Sequence, residues 1–415
     1  MSTSSGPVTN WAGNVTFRAT RVHRPASVDE LRALVARTPK IRALGTGHSF
    51  NLIADSTAEL VRVDGLPGTI EIDRERSTVT VAGGLRYAEV AVALERAGFA
   101  LANLASLPHI SVAGSVATGT HGSGDRRRNL ASAVAALTLV APDGSLVEVR
   151  RDADPGAIVA LGALGVVTAL TLDVEPTFQV AQQVYRDVPL NEIAASFNAV
   201  FGSAYSVSAF TTWATGAAVV WQKRRVDGPP PDWHGTTPAD EPVNPVPGMP
   251  ATNATAQLGV PGPWHERLPH FRPEFTPSAG EELQSEFFLP RAEAAAAIAA
   301  LREIDALISS VLQVTEIRTV RGDDLWLSPA YHRDSVALHF TWVKDVPAVA
   351  PVLAQVEQRL LPLGARPHWG KLTSIPAARI VENYACAGDF AALLRRFDPD
   401  GKFRNSFVDD LFPVR

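Results

Sequence analysis

The sequence lacks the residues and runs that mark several protein classes. It has a single cysteine, Cys386, which excludes an intrachain disulfide and a cysteine-based metal cluster. Its formal net charge of −5 lacks the basic excess of a general nucleic-acid binder. No run of about 18 apolar residues occurs, so no membrane span is expected. The N-terminus has no basic start followed by an apolar run, which predicts a cytoplasmic protein without a secretory signal.

Apolar residues make up 46% and charged residues 20% of the 415 residues, as in a globular protein of two or three domains. Residue periodicity predicts strands that alternate with helices over the first part of the chain and again after residue 290. The predicted strands are 40–44, 77–82, 134–140, 145–150, 163–174, 313–320 and 335–343, and the predicted helices are 87–96, 291–307 and 352–361.

One segment is unusually rich in proline. Between Pro229 and Pro277 lie 13 of the 31 prolines, which excludes a continuous helix and argues against a central strand. The segment also contains Trp233, Trp264 and Phe271, which are uncommon in a solvated linker. We therefore predict a long ordered loop packed over a domain surface, with a flexible excursion as the alternative.

Two loops of small residues indicate a ligand with phosphates. Gly45-Thr46-Gly47-His48-Ser49 follows a predicted strand, and glycines there allow backbone N–H groups to approach phosphate oxygens. The stretch from Ser111 to Gly124 mixes glycine and alanine with five hydroxyls. Neither loop has the complete fingerprint of a dinucleotide or triphosphate site. Together they favour a nucleotide-type cofactor, while structural turns remain the alternative.

Two strands of the C-terminal half each have one polar face. Glu316 and Arg318 share a face of one strand, and His339 and Thr341 share a face of the other. If the strands are neighbours, these four side chains line one polar wall; the alternative is a face exposed to solvent. No metal site is expected, because the histidines have no partners at metal-ligand spacing.

Several ordered motifs resemble those of the vanillyl-alcohol-oxidase-type FAD family. The flavin-loop motifs are Gly45-Thr46-Gly47-His48-Ser49-Phe50-Asn51 and Ser106-Leu107-Pro108-His109-Ile110-Ser111-Val112-Ala113-Gly114. The polyol-oxidising members are matched further by Glu316-Ile317-Arg318-Thr319, His368-Trp369-Gly370-Lys371 and Gly401-Lys402-Phe403. The resemblance covers essentially the whole chain, including the Pro-rich stretch around residues 261–267.

The resemblance implies an α+β fold of two domains, that of an FAD-linked oxidase of the vanillyl-alcohol-oxidase or PCMH type. Residues 1–178 would form the FAD-binding domain. Residues 179–370 would form a substrate domain, with an antiparallel sheet flanked by helices and with the Pro-rich ordered loop 229–277. Residues 371–415 would return to the FAD-binding domain.

The resemblance also implies FAD as the cofactor, bound covalently through His48 at the flavin 8α carbon. Ala105 would be the small residue beside the flavin that admits dioxygen, and Val167 would lie near the adenine. The full set of cofactor-binding residues it implies is Gly45, Thr46, Gly47, His48, Ser49, Phe50, Asn51, Ala105, Ser106, Ser111, Gly114, Thr118, Gly119, Thr120, His121 and Val167.

By the same resemblance, the substrate is a polyol such as xylitol or sorbitol. Hydride would pass from its C1 carbinol to flavin N5, and dioxygen would reoxidise the flavin, giving an aldose and hydrogen peroxide. The implied substrate-binding residues are Ser106, Glu316, Arg318, His339, Thr341 and Lys371. Lys371, Arg318 and Glu316 would be catalytic, with the lysine, a water or the arginine as proton acceptor. We expect a monomer with no nucleic-acid or membrane partner.

Three alternatives remain open. A sugar-1,4-lactone oxidase or dehydrogenase of the same superfamily would share the FAD domain and differ in substrate and electron acceptor. A carbohydrate-binding protein with a degenerate flavin site would have no activity. A metal-dependent hydrolase would use the histidines, against their spacing.

Overall fold

The structure, a computed structural model, describes residues 2–4, 7–275 and 281–414. Residues 276 and 277 of the Pro-rich segment lie outside this described part. The first unit contains β1 (Ser2–Ser4), β2 (Arg21–Arg24), α1 (Val28–Arg37), β3 (Ile41–Ala43), β4 (Glu59–Val61), β5 (Ile70–Asp73), β6 (Thr78–Ala82), α2 (Tyr87–Arg96), β7 (Phe99–Ala100), α3 (Val112–Ala117), β8 (Val134–Val140), β9 (Leu146–Arg150), β10 (Val166–Asp173) and β11 (Glu175–Pro176).

Two main sheets form this unit. The first has the order β1-β2-β4-β3, in which β2 and β3 run parallel to β4. The second is an antiparallel sheet of order β5-β6-β10-β8-β9, and β11 pairs with β7 beside it. Helix α1 starts where the Ser27 side chain accepts a hydrogen bond from Glu30 N, and it packs Leu31 and Leu34 into a core with Ile41 and Val166. That core joins the two sheets.

The second unit contains β12 (Gln179–Pro189), α4 (Leu190–Ala195), α5 (Phe197–Gly202), β13 (Ser206–Thr211), β14 (Ala217–Arg225), β15 (Thr237–Pro238), β16 (Gly262–Pro263), β17 (Glu282–Pro290), α6 (Ala294–Arg302), α7 (Asp305–Ser309), β18 (Leu312–Val320), β19 (Ser335–Val343), α8 (Val346–Leu360) and β20 (Arg366–Pro367). The chain ends with α9 (Ala377–Val381), α10 (Ala387–Phe397) and α11 (Ser406–Leu411).

A nine-stranded sheet of order β15-β12-β14-β13-β18-β19-β17-β20, with β16 beside β12, dominates the second unit. Its strand pairings within the described ranges are all antiparallel. On one face Ile317, Leu338 and Phe340 share a core with Ile298 of α6 and Val352 of α8. The opposite face is polar along β17, β18 and β19 and also carries Phe210 and Trp221. The predicted α+β architecture, with an antiparallel sheet flanked by helices, is therefore confirmed.

The Pro-rich segment packs on the polar side of this sheet. Its short strands β15 and β16 pair with β12. Ala239 and Ala254 pack against Phe210 and Trp221 of the sheet. Trp264 is fully buried. The segment thus covers the sheet between the described residues 229 and 275.

The predicted helix 291–307 is wrong in its bounds. Pro290 ends β17, a 3-10 turn occupies Arg291–Glu293, and the helical chain breaks between α6 and α7. At the break Ile304 has φ −124° and ψ 23°, outside the helical region. Ile308 of α7 is buried. Helix α8 also begins earlier than predicted, because Asp345 caps its N-terminus by accepting from Ala348 N.

The C-terminal segment lies against the first unit. The Asn405 side chain donates to Leu52 O and Asp55 O at 2.9 and 2.8 Å. Lys402 Nζ donates to Val35 O at 2.7 Å. The boundaries at residues 178 and 370 stay a prediction. Within the described ranges no helix is long and apolar enough to cross a lipid bilayer.

Candidate active site

A cleft lies between the glycine-rich loops of the first unit and the polar face of the nine-stranded sheet. Every predicted cofactor and substrate residue except Gly119 lines it. Gly119 has φ +66°, and a Cβ there would lie 3.1 Å from Pro329 Cδ. This glycine therefore serves the turn and not the cleft wall.

The first loop, residues 45–51, follows β3 directly. Within the described part of the chain, no carbonyl or side chain accepts a hydrogen bond from the backbone N–H groups of residues 45–49. Gly47 adopts φ +74°, and its carbonyl accepts from Trp11 N at 2.8 Å. Consecutive N–H groups without acceptors form a concavity that suits the oxygens of an anionic ligand.

The second loop approaches the first through small residues. A Cβ on Gly45 would lie 2.7 Å from Ser111 Oγ, and a Cβ on Gly114 would lie 2.8 Å from the same atom. Ser111 N also lies 3.4 Å from Thr46 Oγ1. The two loops therefore meet where larger side chains do not fit. This close approach and the free N–H groups fit the pyrophosphate of a dinucleotide such as FAD.

His48 lies at the centre of the first loop. Its Nδ1 is 3.0 Å from Thr46 Oγ1, and its ring stacks on Trp11 with centroids 5.1 Å apart. Burial, and then the positive charge of Lys371, lower the pKa of His48 to about 4. The imidazole is therefore neutral at pH 7 and keeps a lone pair for bonding.

Two predicted cofactor residues have other partners. The Asn51 side chain donates to Trp369 O at 2.8 Å and to Lys371 O at 2.9 Å, so it holds the loop that carries Lys371. His121 Nε2 lies 2.9 Å from Glu286 Oε1, in the polar wall. Across the described ranges, no group of three or more His, Cys, Asp or Glu side chains could hold a metal ion.

The predicted polar wall is present. Strands β18 and β19 are neighbours, with Glu316 opposite His339. Glu316, Arg318 and Thr341 are buried, so this face does not meet bulk solvent. Arg318 Nη1 donates to Ser106 Oγ at 3.3 Å across the cleft. Strand pairing thus joins substrate-site residues from distant parts of the sequence.

Strand β17 adds Glu286 to the wall, a residue that sequence reasoning missed. It lies opposite His339 on the other side of β19 and is 2% exposed. Its Oε1 accepts from Arg318 Nη2 at 2.6 Å and lies 2.9 Å from His121 Nε2. Burial alone would raise the pKa of Glu286, but His121 and Arg318 hold it well below its ordinary value. Glu286 is therefore ionised.

Lys371 reaches the cleft beside Glu286. Its Nζ donates to Gln284 Oε1 and lies 5.0 Å from the centre of the Phe50 ring. Burial lowers the pKa of Lys371 to about 8, with Arg318 acting in the same direction. Gln284 Nε2 in turn donates to Glu282, whose pKa burial raises to about 7.

His270 of the Pro-rich segment is a second residue that sequence reasoning missed. Its Nε2 is 2.7 Å from Glu316 Oε1. Burial of Glu316 would raise its pKa, whereas Arg318 and His270 keep it well below its ordinary value.

The sequence does contain a signal that could have identified Glu286 as a site residue, because Glu282, Gln284 and Glu286 recur at every second residue and so share one strand face. His270 lies in a segment without periodicity and gives no such signal.

Comparisons with known proteins agree with this geometry. The family model described as FAD binding domain matches residues 19–150, and that of D-arabinono-1,4-lactone oxidase matches residues 281–411. An alditol oxidase from Streptomyces sp. (strain IKD472 / FERM P-14339) is 52% identical, over 98% of this chain and 99% of its own.

More distant relatives span similar lengths. L-gulonolactone oxidase of Mus musculus is 25% identical over 97% of both chains. L-gulono-1,4-lactone dehydrogenase of Mycobacterium tuberculosis (strain CDC 1551 / Oshkosh) is 27% identical over 96% of this chain and 97% of its own. Cholesterol oxidase from B. sterolicum, 18% identical, superposes with a TM-score of 0.82 over 99% of this chain and 97% of its own. That structure shows the same fold.

The raised pKa of Glu282 makes stability depend on pH. A carboxyl whose pKa rises on folding, here from 4.5 to about 7, stabilises the fold below pH 4.5 and loses that contribution towards pH 7. Glu282→Gln should therefore gain free energy of unfolding relative to the parent between pH 4.5 and 8, by up to about 3 kcal/mol. Thermal unfolding followed by circular dichroism at several pH values measures the gain.

The matched control is Glu281→Gln, which changes the exposed neighbouring carboxylate. The difference in free energy of unfolding between Glu281→Gln and the parent should stay nearly constant over this pH range. A pH-independent effect of Glu282→Gln would contradict the raised pKa.

Proposed function

Because this chain belongs to the alditol oxidase family of FAD-dependent oxidoreductases, we propose that it oxidises the C1 carbinol of a polyol such as xylitol or sorbitol. Dioxygen accepts the electrons, and the products are an aldose and hydrogen peroxide. The observation that carries the proposal is the buried wall of Glu286, Glu316 and Arg318 facing the cleft. Such a wall offers fixed donors and acceptors to a ligand that consists of hydroxyls.

FAD, when bound, accepts a hydride and passes the electrons to dioxygen. The N–H groups of residues 45–49 and the small residues around Ser111 and Gly114 would hold its pyrophosphate, and Thr118, Thr120 and Val167 line the same cleft. We propose that His48 bonds covalently to the flavin. Its position in the half-buried loop, its neutrality and its stacking on Trp11 support this role.

Lys371 takes the proton from the C1 hydroxyl. A pKa of about 8 leaves part of the lysine population neutral near neutral pH, and a neutral amine can accept a proton. Gln284 and the Phe50 ring hold Nζ at the cleft. Arg318 and Glu316 orient the substrate, together with Ser106, His339 and Thr341, which line the same pocket.

Ala105 is the proposed entry for dioxygen. It lines the cleft next to Ser106 and is 7% exposed. Its single methyl group leaves room that a larger side chain would fill. The proposal also includes the cytoplasmic, monomeric state predicted from the sequence.

Substrate preference tests the reaction. Peroxide formation and oxygen uptake should show a kcat/KM for xylitol or sorbitol at least about tenfold above that for L-gulono-1,4-lactone or D-arabinono-1,4-lactone. A tenfold ratio of kcat/KM corresponds to the loss of one hydrogen bond between the substrate and a charged group of the site. The match of residues 281–411 to the lactone oxidase model makes the lactones the relevant competitors.

A preference for lactones would replace the proposal with a lactone oxidase. Lactone turnover that requires another acceptor in place of dioxygen would indicate a lactone dehydrogenase. A colourless protein that binds polyols without forming peroxide would indicate a carbohydrate-binding protein.

Acid precipitation tests the covalent flavin. The yellow colour should remain with the parent polypeptide after denaturation, because a covalent bond survives loss of the fold. His48→Ala should release its flavin into the supernatant, measured by absorbance and fluorescence. The control His332→Ala, which changes an exposed histidine, should retain it. Free flavin from the parent would exclude attachment through His48.

The pH dependence tests Lys371. Protonated lysine cannot accept the substrate proton, so kcat/KM for xylitol should rise with pH through an apparent pKa near 8. Lys371→Met should lower kcat/KM by about 100-fold or more and abolish this rise. Lys344→Met, which changes an exposed lysine directly after β19, should have the same kcat/KM and pH profile as the parent. An unchanged profile in Lys371→Met would assign the proton to another acceptor.

A further inference from the structure

A buried lysine ties the Pro-rich segment to the sheet behind the polar wall. Lys223 of β14 is 1% exposed. Its Nζ donates to Leu268 O at 2.6 Å and to Pro269 O at 3.0 Å, and it lies 3.1 Å from His270 Nδ1. These three partners match the three N–H donors of a protonated lysine amine. The lysine thus holds the segment directly before and at His270.

The ring of His270 is enclosed on its sides. It packs edge-to-face against Phe210 and Trp221, with centroid distances of 5.2 and 5.3 Å. Its backbone N–H donates to Ser106 O at 3.2 Å. One histidine therefore contacts the backbone of Ser106 and the carboxylate of Glu316, two proposed substrate contacts.

The hydrogen bonds define where the protons lie. Glu316 is ionised and only accepts, so His270 Nε2 carries the hydrogen of their 2.7 Å contact. One further hydrogen lies between His270 Nδ1 and Lys223 Nζ. Leu268 O and Pro269 O each take one hydrogen from Lys223 Nζ, so the pair holds four such hydrogens in all and carries one positive charge. Burial lowers the pKa of both groups.

The two oxygens of Glu316 consequently differ. Oε1 is held by His270 Nε2 at 2.7 Å and lies 3.5 Å from Arg318 Nε. Oε2 has Ser106 Oγ at 3.5 Å, a long contact. The histidine therefore leaves Oε2 and Ser106 Oγ facing the cleft, where a hydroxyl of a ligand can bind both.

We propose that Lys223 and His270 are positioning residues for polyol binding, which fix Glu316 so that Oε2 accepts a substrate hydroxyl. Lys223 acts through His270, and neither residue touches the substrate. The Pro-rich segment is then a specificity element, because it carries the histidine that orients the carboxylate. This inference rests on the proposed polyol oxidation.

Steady-state kinetics of the flavin-loaded protein with xylitol test the proposal. His270→Phe removes the donor and should raise KM about 10- to 100-fold, the range for a lost hydrogen bond to a charged group, with a smaller change in kcat. His270→Gln keeps an N–H donor and should recover most of the loss. Lys223→Met should raise KM in the same direction. Lys344→Met should leave both constants unchanged.

A second measurement does not depend on activity. With 15N-labelled histidine, NMR should show Nε2 of His270 protonated in the parent, with the signal assigned by its loss in His270→Gln. Lys223→Met should shift the Nδ1 signal of His270 and spare the exposed His332. This readout also decides the case if His270→Phe fails to fold.

The outcomes separate the two proposals. A parent that does not oxidise polyols would overturn the proposed function, while the NMR signature would still describe His270. If the parent oxidises xylitol but His270→Phe keeps its KM, or if Nε2 is unprotonated, the positioning role is overturned. A lower kcat with an unchanged KM in both His270→Phe and Lys223→Met would also overturn the positioning role.

Discussion

The burial of two carboxylates around one guanidinium is the constraint on which the site depends. Glu286 and Glu316 both approach Arg318, and removing each charge from water costs several kcal/mol without a partner. Histidines complete the pairing, with His121 at Glu286 and His270 at Glu316. These partners come from the first unit and from the Pro-rich segment. The charged cluster thus requires that all three parts assemble around the same strands.

A second set of contacts with the first unit holds Lys371 at the cleft. Its loop is fixed by Asn51 of the first glycine-rich loop, and Phe50 N donates to Gly370 O at 2.7 Å. A loop that lines the cofactor cleft therefore also positions the proposed proton acceptor. The proposed cofactor binding and the proposed proton transfer would therefore both depend on one short segment of backbone, residues 45–51.

Local patterns account for what the sequence predicts well. The helix Tyr87–Arg96 has the predicted bounds, because its periodicity and Gly98, at φ +82°, are signals within a few residues. The alternation along β18 and β19 predicts the polar face of each strand, whereas their pairing is shown only by the structure. The prediction of one helix over residues 291–307 is wrong, because the apolar periodicity of the sequence continues across the break between α6 and α7. His121 and Glu286 are 165 residues apart, and no local pattern encodes their contact.

The polar wall also constrains how the strands pair during folding. On β17, Leu283 and Phe287 point into the apolar core while Glu282, Gln284 and Glu286 line the cleft. A slip of one residue would exchange the two faces and press carboxylates against the helical layer. Each such charge would lose its partners at a cost of several kcal/mol. The polar residues of β17 that line the cleft therefore also disfavour a wrong strand register during folding.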